Sequence, residues 1–214
     1  MISIALPKGR LGESVYSLFD KCGYSVDSSL FPSRSLLFVN EEKSVRYFWV
    51  KPADVPVYVE RGVADLGVAG TDVLRERGSD LYELLNLQKG KCRLCVAASK
   101  KWTDDENRVL RVATKYPRLS REYYLSLGRE IDIIKLNGSI EIAPLLALSD
   151  VIVDIVETGT TLRENNLEVK NTVMDISAML VANKPSYFFH RSEILSIREK
   201  IAQVIREENQ DENL

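Results

Sequence analysis

Two carboxylates and three hydroxyls crowd into the eight residues Asp154-Ile-Val-Glu157-Thr158-Gly159-Thr160-Thr161. Just ahead, Asp150-Val-Ile-Val-Asp-Ile-Val156 places five β-branched aliphatics in seven positions, which suits a strand buried on both faces of a parallel sheet. The polar Leu162-Arg-Glu-Asn-Asn-Leu167 that follows has helical potential. Strand, tight turn and helix in that order aim consecutive backbone N–H groups at one spot, where an anion can bind. Gly159 permits positive φ and close backbone approach, and Thr158, Thr160 and Thr161 add hydroxyl donors. Asp154 and Glu157 would repel a bare phosphate. They suit a ligand that also carries ribose hydroxyls, which donate to carboxylates, or a bridging Mg²⁺. A sugar phosphate has both features.

Other chemistry-bearing residues fall at the ends of expected strands. Ile2 to Leu6 reads as a strand, Pro7-Lys8-Gly9-Arg10 as a turn, and Leu11, Val15, Leu18 and Phe19 as one face of a helix. Lys8 and Arg10 would then sit at a carboxyl strand end, where open α/β sheets bind ligands, and could pair with a pyrophosphate. Ala64 to Ala69 reads as a short strand, followed by Gly70-Thr71-Asp72 and the helical Val73 to Arg77, with Thr71 or Asp72 as N-cap. Lys115 closes a strand over 111–116. Glu141 sits in the first turn of an expected short apolar helix over Ile142 to Leu148, where the helix dipole favours an acid whether or not it also does chemistry.

The elements that must hold these groups alternate between strand and helix. Residues 35–39 and 45–50 suggest a hairpin about the polar 40–44. The prolines of Lys51-Pro-Ala-Asp-Val-Pro-Val-Tyr-Val59 suit a helix start, with an end near Gly62. Gly90 to Ser99 reads as a strand, 102–107 as surface loop or short helix, 120–127 as a helix, and 131–136 as another strand. The pattern over 169–180 is mixed. From Ser192, placed as N-cap, an amphipathic helix with Ile194, Leu195, Ile197, Ile201, Val204 and Ile205 runs to about Glu207, before a polar tail expected to fray. This alternation points to an α/β protein with mostly parallel sheets.

Composition closes several doors. A net charge of −2 with no basic block argues against nucleic acid as partner. No apolar run approaches the roughly 18 residues a membrane helix needs, and the first residues are too short for a signal sequence, so a cytoplasmic location is expected. Gly62, Gly67 and Gly70 do not form G-x-G-x-x-G, and no G-x-x-x-x-G-K-[ST] occurs, which removes the main support for dinucleotide binding and P-loop hydrolysis. Cys92 and Cys95 form a C-x-x-C, but on a strand that spacing points the thiols to opposite faces, so structural thiols are expected. One histidine, His190, leaves no His-rich metal site or Ser-His-Asp triad.

The run D-x-x-E-T-G-x-T, Asp154 to Thr161, resembles the phosphoribosyl-pyrophosphate loop of phosphoribosyltransferases. In its wider setting, Glu141 to Leu162, it resembles the signature of the ATP phosphoribosyltransferase family. The likeness extends to P-K-G-R at 7–10, D-V-P-x-Y-V-x-x-G-x-A-D-x-G-x-x-G-T-D at 54–72, A-T-K-Y-P at 113–117 and G-S-I-E at 138–141. It implies two α/β lobes with a cleft between them, like type II periplasmic binding proteins, with 1–89 plus 178–214 as lobe I and 90–177 as lobe II. It implies joining of ATP and phosphoribosyl pyrophosphate, with Mg²⁺, as the first step of histidine synthesis. It further implies Lys8, Arg10 and Lys51 at the departing pyrophosphate, Gly70 and Asp72 at the nucleotide, and Asp154 and Glu157 to Thr161 around the sugar phosphate, with Lys115 and Glu141 among the substrate-binding residues and Lys8, Arg10, Asp154 and Glu157 as the catalytic ones. The length resembles the family's short form, which works in a hetero-oligomer with a regulatory subunit related to histidyl-tRNA synthetases. One departure stands out: Ala147 occupies a position usually held by Gly, where a small residue is expected to serve packing before the buried strand. A solute-binding protein of the same fold would have no use for the loop, and a silent paralogue would be expected to lose Lys8, Arg10 or the loop.

Overall fold

The structure, a computed structural model, describes residues 1–26 and 36–211. The chain forms two compact units, Met1–Leu74 with Gly78–Gly90 and Ser177–Leu214, and Lys91–Ile176 with Arg75–Arg77.

The first unit is built on a sheet whose strands run in the order β2-β3-β1-β4-β11-β5. These are β1 (Ile2–Pro7), β2 (Leu37–Asn40), β3 (Val45–Val50), β4 (Leu66–Gly70), β5 (Tyr82–Asn86) and β11 (Ala178–Ala182). β1 lies parallel to both β3 and β4 and is buried along its whole length. Its alternate residues divide between two layers, as strand geometry requires. Ile2, Ile4 and Leu6 meet Val15, Leu18 and Phe19 of α1 (Arg10–Lys21), with Ile194, Ile197, Ile201 and Ile205 of α7 (Arg191–Asp211). Ala5 faces Val55 and Val59 of α2 (Val55–Glu60) and Leu74 of α3 (Thr71–Arg77). Gly12 lets α1 press onto the end of β1: a Cβ there would lie 1.8 Å from the Pro7 carbonyl oxygen.

The second unit carries the order β10-β6-β9-β7-β8, from β6 (Cys92–Ser99), β7 (Leu110–Thr114), β8 (Ile131–Lys135), β9 (Val151–Val156) and β10 (Leu167–Ile176). β7 is parallel to β8 and β9, whereas β6 runs antiparallel to β9 and β10. Leu94, Val96, Val112, Val151 and Val153 face Leu119 and Tyr124 of α4 (Pro117–Ser126). The opposite faces, with Cys95, Ala97, Ala113, Ile152 and Val156, pack on Ile140 and on Leu162 of α5 (Thr160–Glu164). The C-x-x-C is split as expected, Cys92 packing beside the first cluster and Cys95 inside the second. α6 (Lys184–Phe189) links β11 to α7.

Several expectations are corrected. The sheets are mixed, not mostly parallel: β2, β5, β6, β10 and β11 each enter antiparallel pairs, and parallel pairing is confined to β3-β1-β4 and β8-β7-β9. Ile142 to Leu148 is not a helix: a 3₁₀ turn (Ile140–Ile142) gives way to further turns, because Pro144 and the left-handed Ala147 (φ 55°) interrupt helical geometry. Ala147 is exposed, so its place in the pattern reflects backbone conformation and not packing. Thr71 and Asp72 lie within the first turn of α3, and Ser192 lies within α7, so none of them is an N-cap. α7 continues to Asp211, past the expected fraying point. Ser35 lies outside the described residues. β5 was not anticipated, and 167–176 forms one long strand instead of a mixed segment.

Candidate active site

Parallel pairing gathers the expected site residues into two sets, one on each unit. In the first unit, Pro7 of β1 pairs with Val50 of β3, and the Lys8 N–H donates to the Val50 carbonyl at 2.8 Å. Lys8 and Lys51 therefore leave adjacent strands side by side. Arg10 opens α1 after Gly9, whose φ of 94° turns the chain. Gly70 ends β4, on the other side of β1, and Asp72 follows in the first turn of α3, 6 % exposed. The Thr71 N–H donates to the Ser177 carbonyl at 3.0 Å, which ties this turn to the start of β11. Lys8, Arg10, Lys51, Gly70 and Asp72 thus lie along the carboxyl edge of β3-β1-β4, an edge built by local strand–turn–helix connections.

In the second unit the same edge of β8-β7-β9 carries the rest. Lys115 follows β7, Glu141 follows β8 after a short turn, and Glu157 to Thr161 follow β9. A concavity of ≈ 240 Å³ is lined by Glu141, Asp154 and the whole run Glu157 to Thr161. Strand alternation puts Asp154 on the face of Ile152 and Val156, toward Ile140 and Leu162, so its carboxylate looks into this concavity. Burial raises the Asp154 pKa above the ordinary carboxylate value, and nearby Glu141 raises it further. The Ile155 N–H, donating at 2.8 Å, and Lys115 act the other way. Asp154 is thus a half-buried acceptor among charges of both signs.

The loop itself is ordered by its own polar groups. Gly159 sits at φ 73° and opens α5, a conformation that favours glycine. The Thr158 and Thr160 hydroxyls lie 3.2 Å apart. α5 has only five residues, so the loop's binding capacity rests on its own N–H groups and hydroxyls more than on a helix dipole. Sequence reasoning missed Arg163, whose Nη1 donates to the Thr158 carbonyl at 3.1 Å and whose Nη2 donates to Thr160 Oγ1 at 2.9 Å. Its signal was the i,i+3 spacing from Thr160 on a short helix, which brings the two side chains onto one face. Among the described residues no cluster of three or more His, Cys, Asp or Glu forms a metal cage.

The family model for ATP phosphoribosyltransferase (HisG) matches residues 51–203. The ATP phosphoribosyltransferase of Brachyspira hyodysenteriae is 55% identical over 206 residues, spanning 96% of this chain and 100% of that one. The chain belongs to the ATP phosphoribosyltransferase family. The enzyme of the same name from Clostridioides difficile is 47% identical over 92% of this chain and 94% of its own length. Among solved structures, the ATP phosphoribosyl transferase (HisG:HisZ) complex from Thermotoga maritima matches with a TM-score of 0.85 and 39% identity, over 97% of this chain and 100% of that one. A substrate-binding protein of an amino acid ABC transporter, 12% identical, aligns over 99% of this chain and 96% of its own with a TM-score of 0.60. That second likeness is one of fold alone, and it gives this chain the two-part α/β architecture of type II periplasmic binding proteins. As a family member the chain is a pentosyltransferase.

Proposed function

We propose that this chain joins ATP to phosphoribosyl pyrophosphate, adenine N1 displacing pyrophosphate from the anomeric carbon to give N1-(5-phosphoribosyl)-ATP, the first step of histidine biosynthesis. The observation that carries the reading is the convergence of Glu141, Asp154, Glu157, Thr158, Gly159, Thr160 and Thr161 on one concavity. Backbone and hydroxyl donors of 157–161 hold the 5′-phosphate, while Asp154 and Glu157 accept from the ribose hydroxyls. Lys115, close enough to act on Asp154, tempers the negative charge there. In the first unit, Lys8, Arg10 and Lys51 neutralise the departing pyrophosphate, and Gly70 and Asp72 meet the nucleotide. Orienting N1 in line with the leaving group supplies much of the rate enhancement.

Asp154 and Glu157 are the carboxylates that would hold Mg²⁺ alongside the substrate's phosphates, since no all-protein cage is built among the described residues. Bound there, it would neutralise phosphate charge and stabilise the leaving group. The Thermotoga maritima chain, matched over its full length, was solved as a HisG:HisZ complex, which supports a HisZ-type regulatory subunit and a hetero-oligomer for this chain. No helix among the described residues is long and apolar enough to cross a membrane. The substrates support a cytoplasmic location.

The test is the absorbance change of purified chain with ATP, phosphoribosyl pyrophosphate, Mg²⁺ and a pyrophosphatase, with and without a HisZ-type subunit. Adduct formed only, or much faster, with the partner supports both the reaction and the assembly. Full activity without it removes the partner. No adduct under either condition from folded protein overturns the reading.

A further inference from the structure

A cup lined by Glu141, Asp154 and Glu157 is a poor place for a phosphate unless something offsets both the charge and the acceptor groups of the loop itself. Arg163 does both. Its guanidinium carries only donors. Nη1 takes up the Thr158 carbonyl oxygen at 3.1 Å, an acceptor that would otherwise oppose an anion, and lies 3.5 Å from where a Cβ on Gly159 would stand. Nη2 donates to Thr160 Oγ1 at 2.9 Å. A hydroxyl that already accepts from a guanidinium has its own proton free to donate, either to Thr158 Oγ1, 3.2 Å away, or to a ligand.

We propose that Arg163 is a positioning residue that fixes the hydrogen-bond polarity of the Thr158–Thr161 loop, turning it into a donor surface for the 5′-phosphate of the sugar. This rests on the reading of that loop as the phosphate holder. Arg163 reaches the ligand through Thr158 and Thr160, and the planar fork that holds both at once is a property Lys lacks.

The experiment is calorimetric titration of the full chain with ribose 5-phosphate for wild type, Arg163→Gln and Arg163→Lys, alongside steady-state kinetics of the three with the HisZ-type subunit present. Arg163→Gln should weaken ribose 5-phosphate binding roughly tenfold, the worth of one loop hydrogen bond to the phosphate that is no longer held in place. It should raise the KM for phosphoribosyl pyrophosphate by a similar factor, with kcat and the KM for ATP within about twofold. Arg163→Lys should recover part of the affinity by restoring charge without the second bond. Equal ribose 5-phosphate affinity in wild type and Arg163→Gln overturns the role of Arg163 and leaves the loop assignment standing. So does a loss in Arg163→Gln spread evenly over kcat and both KM values, which marks general distortion. Failure of wild type itself to bind ribose 5-phosphate overturns the loop reading, and the proposal with it.

Discussion

The Arg111 guanidinium donates to the Ala147 carbonyl oxygen at 2.9 Å, and the residue that accepts it stands in the left-handed region at φ 55°. Holding a residue with a Cβ there costs about 1 kcal/mol, whereas glycine adopts the conformation freely. Ala147→Gly should therefore raise stability by about 0.5 kcal/mol after the greater freedom of the unfolded glycine is counted. Urea denaturation of the two proteins reads this directly. A lower midpoint for the glycine variant would show that the methyl group contributes more than the strain costs.

The same arginine shares an acid with Arg108. Asp150 accepts from Arg108 Nη1 and Nη2 at 2.9 and 3.0 Å, and from the backbone N–H, Nε and Nη2 of Arg111 at 2.9, 3.2 and 2.9 Å. Burial alone would raise its pKa, but the arginine bonds outweigh burial and hold the carboxyl well below the usual carboxylate range. A depressed folded-state pKa means stability that is present above the unfolded value of about 3.9 and is lost as pH falls toward the folded one. Asp150→Asn should cost about 2 kcal/mol at pH 7, the range for hydrogen bonds to a charged group. The difference from wild type should shrink below pH ~4. Thermal unfolding across pH tests it, and a pH-independent difference would count against the ionic origin.

Asp154 carries the opposite sign. Burial and Glu141 raise its pKa, so the folded state holds its proton more tightly than the unfolded chain does. Its contribution to stability is greatest at low pH and declines as pH rises through the raised value. Asp154→Asn should thus be more stable than wild type at neutral pH, with the gap closing in acid, while kcat/KM for phosphoribosyl pyrophosphate falls. Parallel denaturation and kinetics decide, and a variant both less stable and fully active would contradict the assignment.

Thr158→Ala and Thr161→Ala should each raise the KM for phosphoribosyl pyrophosphate by roughly tenfold, the worth of one hydrogen bond to a charged group, with KM for ATP little changed. Steady-state kinetics at saturating ATP measures this. Unchanged KM in both would remove the loop from phosphate binding.

Much of this architecture was legible in the chain. The buried strand that carries Asp154, the amphipathic faces of α1 and α7, and the polar turns after β1, β4 and β9 are each marked by periodicity or composition. What escaped notice has physical causes. β5 is an edge strand whose residues are exposed or half-buried, so no hydrophobic alternation marks it. β10 contains two register shifts against β6, each of which resets the inward face and blurs a period of two. The run Ile142 to Leu148 looked helical because it is apolar, yet Leu145 and Leu146 are 51% and 72% exposed, so hydrophobicity there does not signal burial. Arg163, a cation on a short polar helix, carries no composition signal, and its i,i+3 spacing from Thr160 takes on meaning only with the loop conformation beside it.

The order β4-β11-β5 has a consequence for how the protein is made. β11 is the described partner of β5 and lies between it and β4, but its residues, Ala178–Ala182, follow the whole Lys91–Ile176 segment in the chain. While the ribosome synthesises that segment, β4 shows an unpaired edge and β5 has nothing to pair with. Open edges of this kind invite pairing with other chains. At ordinary synthesis rates the exposure lasts on the order of ten seconds, so the earlier-made part of the molecule is the later one to close.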